Sequence, residues 1–416
     1  MTSARRRRIG TLALVPIVAA TWAALSVTAR SPASAQSRDM AMASPAGESS
    51  GMPSGAAQPT LPGGQVRTYF IAADEVAWSY APAHRNMITG RPFGAVENTF
   101  VARGRERIGA TYLKSLYRQY TDATFSQRAP TAPEWQHLGS LGPMIQAEVG
   151  DTVVVHFKNN TPFAASMHPH GVRYTKDSEG SLYDDATTGA DKADDAVPPG
   201  KTHTYVWQVP ERAGPGPADG SSVMWMYHGH TDEVADSYAG LIGPMIVTKR
   251  GMARPDGSPK DVDRQFVALF MVANENESPY LRRNMRRYLT ARGQRLRRDL
   301  AQLPGDGDFQ ESNLMHAING YVYGNGPVMR MTTGERVRWY VMSMGSEVDL
   351  HTPHWHGNVV TTTMGMRTDV LQLLGGSMQA ADMQPDDPGL WLFHCHINDH
   401  ITAGMLSRYE VDAPAP

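Results

Sequence analysis

Trp391-Leu-Phe-His-Cys-His-Ile-Asn-Asp-His-Ile-Thr-Ala-Gly-Met405 holds the only cysteine of the chain, with His394 and His396 beside it, His400 five residues on and Met405 five beyond that. Thiolate, imidazole and thioether together suit copper. The apolar and aromatic run predicts a strand over 391–396, whose alternation points Cys395 to one face and His394 and His396 to the other. One peptide can then serve two metal centres, about 10 Å apart, from opposite sides of a sheet. Cysteine, histidine and a long axial methionine form the ligand set of a blue electron-transfer copper. A buried free cysteine beside surface histidines would explain a lone Cys. Five ligand-type residues in register are too many for that reading.

The rest of the chain is read outward from this stretch. Its 416 residues exceed one ordinary core and predict two domains. The balance of 39 basic against 41 acidic residues gives no footprint for a nucleic-acid partner. A single cysteine excludes an internal disulfide. Arg5 to Arg8, an apolar run from Ile9 to Val27 and the small residues Ala33-Ser34-Ala35 predict a signal peptide over 1–35. Its cleavage would deliver the protein to the periplasm or the exterior. The run is nearly long enough for a membrane anchor instead, and the arginine cluster is compatible with twin-arginine export. Residues 36–64, rich in Ser, Pro, Gly and Ala, read as a flexible linker.

Beyond the linker, short apolar runs alternate with Gly and Pro turns: 68–73, 152–157, 202–209 and 241–247, then 265–272, 336–341 and 390–393. Short strands punctuated in this way predict an all-β sandwich or barrel. The two sets copy each other. Gly150-Asp-Thr-Val-Val-Val answers to Gly334-Glu-Arg-Val-Arg-Trp, His168-Pro-His-Gly171 to His354-Trp-His-Gly357, and Tyr227-His-Gly-His230 to Phe393-His-Cys-His396. A repeat this long predicts two related domains, 65–252 and 253–416, rather than a solenoid. Residues 281–300 carry eight arginines, the pattern of a solvated helix or loop, with an anionic partner as the alternative.

Ten of the fifteen histidines fall in four motifs. Histidines two apart on a strand face one side, so each His-X-His pair can approach neighbouring metals. The pairs supply eight imidazoles, four from each predicted domain, which suits a cluster of three metals better than one. His351 is left over and completes the cysteine site with His400 and Met405.

With these motifs the chain resembles the multicopper oxidases, and over about residues 67–412 it is similar to their ceruloplasmin and hephaestin branch. The likeness is carried by Leu141-Gly-Pro-Met-Ile-Gln-Ala-Glu-Val-Gly-Asp151, Ala239-Gly-Leu-Ile-Gly-Pro-Met245, Glu311-Ser-Asn-Leu-Met-His-Ala-Ile-Asn-Gly320 and the opening stretch. The resemblance implies two cupredoxin-like, Greek-key β-sandwich domains and four copper ions. A type 1 copper would be bound by His351, Cys395, His400 and Met405. A type 2 copper would be bound by His168 and His354, and a type 3 pair by His170, His228, His230, His356, His394 and His396. Gly229 stands in place of the cysteine in the first domain, and Ala165 where an HxxHxH motif would begin, so that domain supplies half the cluster and no blue copper. In similar two-domain oxidases the halves meet between subunits of a head-to-tail homotrimer, with a cluster inside one monomeric chain as the alternative.

The expected reaction is one-electron oxidation of a reductant coupled to reduction of dioxygen to water. Fe(II) is favoured because Glu311, His316, Glu347 and Asp399 resemble an iron site, with Glu347 coming from a neighbouring subunit. Asp399 and Glu179 match positions of proton-relay carboxylates. Laccase-type oxidation of phenols or aromatic amines is the alternative. Oxidation of Cu(I), indicated by Met364, Met366, Met378 and Met383, is another. A copper storage or carrier protein would not need the Cys395 bridge. Asp194 and Asp195 resemble a calcium-binding acidic turn.

Overall fold

The structure is a computed structural model that describes residues 63–289 and 301–413. The signal-peptide expectation, nearly all of the linker and part of the arginine-rich stretch lie outside the described residues. Those described belong to one compact unit. The first strands are β1 (Val66–Ser79), β2 (Thr111–Gln119), β3 (Ile145–Glu148), β4 (Thr152–Asn160), β5 (His168–Pro169), β6 (Thr202–Gln208), β7 (Ser222–His228) and β8 (Ile242–Thr248). They form two sheets, ordered β2-β1-β4-β6 and β3-β8-β7-β5. After a connection over 249–263 come β9 (Arg264–Asn274), β10 (Leu314–Ile318), β11 (Met329–Thr332), β12 (Val337–Ser343), β13 (Pro353–Trp355), β14 (Val360–Thr362), β15 (Arg367–Thr368), β16 (Met378–Met383), β17 (Gly389–Cys395) and β18 (Leu406–Asp412). Their sheets are ordered β10-β9-β12-β16-β14-β15 and β11-β18-β17-β13.

The repeat in the sequence is a repeat in pairing. β1 runs parallel to β4 and antiparallel to β2, as β9 runs parallel to β12 and antiparallel to β10. On the second sheet of each half, His168 faces His228 across β5 and β7, and His354 faces His394 across β13 and β17. Identical ladders therefore present both histidine pairs.

Alternation explains the packing of the nearly continuous apolar run in β9. Phe266, Ala268, Phe270 and Val272 turn into the second half's own core with Trp339, Trp355, Phe393 and Cys395. Val267, Leu269 and Met271 turn the other way, against Met224, Met226 and Ile246 of the first half. Buried on both faces, the strand has no polar stripe to show.

The seam between the halves also holds charge. Lys114 and Glu275 form a fully buried ion pair, with the Tyr80 hydroxyl donating to Glu275 at 2.6 Å and the ammonium donating to the Tyr238 carbonyl at 2.8 Å. Glu275→Leu would strand the ammonium. We expect it to cost about 3–5 kcal/mol in denaturant unfolding, with Glu275→Leu/Lys114→Met regaining most of the loss. A single variant as stable as wild type would contradict this account of the seam.

Candidate metal centres

The thiolate site is assembled from three pieces of backbone. Cys395 ends β17, one residue earlier than the predicted strand, and is fully buried. Helix Asn398–Ala403 then carries His400, and Gly404, left-handed with φ 113°, turns the chain so that Met405 returns into the core. His351 enters beside β13, its amide held by the Leu373 carbonyl at 2.8 Å. Cys395 Sγ lies 3.8 Å from His351 Nδ1 and 3.4 Å from His400 Nδ1, and the two nitrogens are 3.1 Å apart. Three donors so close together, two of them ring nitrogens, are arranged to share one ion.

Behind His351, its Nε2 meets the buried Asp349 carboxylate at 3.0 Å, an outer contact that fixes the ring and its tautomer. Burial alone would push the thiol up, but hydrogen bonds from His351 and His400 outweigh it and hold Cys395 at about 6. The Thr352 amide donates to the sulfur at 3.4 Å. The site therefore favours a thiolate, the form that binds metal.

Two imidazole quartets stand on the histidine ladders. In the first, His170 Nε2 and His228 Nε2 are 3.0 Å apart, and the His168 ring lies 5.0 Å from that of His230. In the second, His356 Nε2 and His394 Nε2 are 3.0 Å apart, and the His354 ring lies 4.9 Å from that of His396. Carbonyl oxygens fix several tautomers. Nδ1 of His168, His228 and His394 faces the carbonyls of Glu179, Gly229 and Cys395 at 2.8, 3.0 and 2.7 Å. A carbonyl can only accept, so the proton sits on Nδ1 and the Nε2 lone pair is free for a metal.

Burial, followed by neighbouring imidazoles, lowers His170 to about 4. Burial also leads in lowering His228 to about 3 and His394 to about 4. Neutral rings with inward lone pairs fit copper. Among the described residues no ring of one quartet contacts a ring of the other.

Gly171 and Gly357, both with φ 77°, follow the His-X-His pairs, and a Cβ on either would fall into the Trp225 or Trp391 ring. The first half also lacks more of a thiolate site than Gly229 and Ala165 reveal. Asp236 stands on its helix as His400 does, its carbonyl accepting from the Gly240 and Leu241 amides as that of His400 accepts from Gly404 and Met405. Leu241 therefore takes the place of Met405. The Asp236 carboxylate accepts from the Thr231 and Asp232 amides. The two extra residues before Asp236, relative to the second half, hide this match from simple alignment of the motifs.

The remaining predicted residues separate into groups. Glu311, His316 and Asp399 line a cleft of about 440 Å³ together with His400. Helix Gly307–Ser312 carries Glu311, β10 carries His316, and the His316 ring lies 5.2 Å from that of His400. Glu347 is exposed and does not line this cleft. The Glu179 carboxylate accepts from Lys176 at 2.6 Å and Tyr183 at 3.2 Å, so its backbone carbonyl, not its side chain, touches His168.

Asp194 Oδ1 is buried without a hydrogen-bond partner among the described residues, while Asp195 lies 3.1 Å from Lys192. Met364 and Met366 are exposed at 77% and 61%, whereas Met383 is core. Two carboxylates escaped sequence reading: Asp349, and Asp369, 3.5 Å from His354 Nε2. Asp349 left one signal, its place two residues before His351.

Multicopper oxidase family profiles match residues 136–251 and 296–415, each spanning one quartet. The chain belongs to the multicopper oxidases. Copper is thus the metal for which these donors are arranged. The chain is 44% identical over 355 residues to human Ferroxidase HEPHL1, covering 85% of this chain and 30% of that protein. It is 42% identical over 358 residues to human hephaestin, covering 85% and 30%. Mouse ceruloplasmin is 40% identical over 350 residues, covering 83% and 32%. The similarity runs to the hephaestin and ceruloplasmin branch, and the chain spans about a third of the length of these relatives. Among solved structures, a multicopper oxidase titled mgLAC superposes with TM-score 0.51 at 18% identity, covering 85% of this chain and 88% of that one. Another multicopper oxidase gives TM-score 0.50 at 19% identity, covering 85% and 92%. At these identities the likeness concerns the fold, cupredoxin-like β-sandwiches.

Proposed function

We propose that the protein is an exported ferroxidase that takes electrons one at a time from Fe(II) and uses them to reduce dioxygen to water. The observation that carries this reading is the cleft in which Glu311, His316 and Asp399 stand against His400. Carboxylate oxygens with one imidazole suit Fe(II) and hold Fe(III) more tightly still, which eases loss of the electron. Burial, then the nearby His400, lowers His316 to about 4, so its ring is neutral and able to ligate at neutral pH. His400 joins the two sites, one ring lying against His316 and directing Nδ1 toward the Cys395 sulfur.

In this proposal His351, Cys395, His400 and Met405 hold a type 1 copper. His168 and His354 hold the type 2 ion, and His170, His228, His230, His356, His394 and His396 hold the type 3 pair. The bound copper supplies one-electron storage, four ions matching the four electrons that dioxygen requires. Cys395 bridges the sites through its own backbone, since His394 and His396 are its neighbours in sequence. Glu179, anchored beside His168 by its carbonyl and hydrogen-bonded by Lys176 and Tyr183, is the proposed proton-relay carboxylate near the first quartet. Asp399, exposed at the cleft, serves iron first and protons second.

Separate quartets within one chain support assembly between copies, in a homotrimer whose heterologous contact closes into a ring. The exposed Glu347 would then complete a neighbour's iron site. The domain limits 65–252 and 253–416, and a calcium ion at Asp194 and Asp195, belong to the same proposal. The exposed pair Met364 and Met366 favours Cu(I) as the second reading of the reductant.

Oxygen-consumption kinetics with Fe(II), Cu(I) and a phenol distinguish these reductants. Glu311→Ala and His316→Ala should each lower kcat/KM for Fe(II) by at least about tenfold, roughly 1.4 kcal/mol, and leave the phenol rate near wild type. Equal losses for both reductants would remove iron as the preferred substrate.

A further inference from the structure

We propose that the cavity beside Arg118 is a binding site for a small organic carboxylate with a flat apolar body. The cavity measures about 410 Å³ and is lined by none of the residues assigned to copper and iron but by Arg118, Arg128, Trp135, Leu138, Met144 and Tyr321 among others. That volume is within the usual range for small-molecule sites.

The recognition group is the guanidinium of Arg118. Its Nη1 donates to the carbonyls of Tyr117 at 2.9 Å and Leu141 at 3.2 Å, which fixes the plane of the group. Nε and Nη2, the edge shaped to grip a carboxylate with two parallel hydrogen bonds, have no protein partner among the described residues. Three other arginines of this chain show what fills that edge. Arg264 uses it on Glu335, at 2.7 and 2.7 Å. Arg336 uses it on Asp263, at 3.2 and 3.0 Å, and Arg338 on Asp382, at 2.6 and 2.8 Å.

The acid whose field reaches Arg118 is Asp74, but its oxygens already accept from Arg128 at 2.7 Å, Tyr120 at 2.9 Å and Asn160 at 2.8 Å. Burial, then the charge of Arg128, presses Arg118 down to about 10. A partly buried cation with a vacant fork and a second cation nearby is stabilised by an anion. The walls specify the rest of the ligand. Trp135, Tyr321, Leu138 and Met144 offer aromatic and apolar surface that an inorganic anion would leave uncovered.

The test uses the full copper-loaded chain with benzoate as the probe in calorimetry, and 4-bromobenzoate in crystals. One benzoate per chain should bind saturably and more tightly than acetate or inorganic phosphate. Arg118→Gln should weaken it by about tenfold to a hundredfold. Trp135→Ala should also weaken it, leaving both carbonyl contacts of Arg118 intact, so this variant serves if Arg118→Gln does not fold. The bromine peak should lie in this cavity. No saturable binding, equal affinity for phosphate, a bromine peak elsewhere, or a neighbouring copy's carboxylate on Arg118 would each overturn the proposal.

Discussion

A Cys395→Ser chain will fold, keep both imidazole quartets and lose its blue absorption together with at least about a thousandfold of kcat for every reductant, roughly 4 kcal/mol of barrier. The substitution is nearly isosteric and the Cys395 side chain is fully buried, so the core formed by Trp339, Trp355 and Phe393 has little reason to rearrange. What changes is the donor. A serine hydroxyl is a hard, protonated oxygen in place of a thiolate held at about 6 by two imidazoles and an amide. Metal analysis should find one copper fewer per chain, with the quartets still loaded. The loss should be the same for Fe(II), Cu(I) and phenols, because in the proposed path electrons from all of them would meet the sulfur before reaching His394 and His396. That uniform loss separates this variant from Glu311→Ala, which acts on one reductant. A Cys395→Ser protein that stays blue, or keeps a tenth of its turnover, would contradict the role given to the cysteine.

How much could be read beforehand depended on whether a residue's partner was close in sequence. The strands over 68–73, 152–157 and 265–272 lie within β1, β4 and β9, because apolar runs between turns carry their own signal. The histidine pairs were legible for the same reason, since spacing two on a strand fixes their common side. β2 was not legible. Its sequence Thr-Tyr-Leu-Lys-Ser-Leu-Tyr-Arg-Gln places Lys114 and Ser115 in the interior, where they meet Glu275 and Tyr280, more than a hundred residues away. The sequence pattern shows polar residues there but not the partners that make them buried. Asp236 in place of His400 was hidden by two extra residues in the first half, and the vacant fork of Arg118 could not be foreseen because the oxygens of the nearby Asp74 accept from Arg128, Tyr120 and Asn160.

The oxygen-reducing centre is proposed to form between copies, and this follows from two quartets that each offer four imidazoles yet share no ring contact within the chain. Variants that disable one half each make the idea quantitative. His168→Ala/His170→Ala removes half of the first quartet and should leave the blue band, because Cys395, His351 and His400 are untouched. His354→Ala/His356→Ala does the same to the second. Each protein alone should be inactive in oxygen consumption. Co-expressed in equal amounts, the two chains should mix in the proposed head-to-tail ring, where one junction in four would join an intact second-half quartet to an intact first-half one. The decisive measurement is the activity of that mixture: about a quarter of wild type per chain, in an oligomeric fraction, is the expected result. A mixture as inactive as its parents, beside a wild-type monomer that reduces dioxygen on its own, would contradict the shared centre.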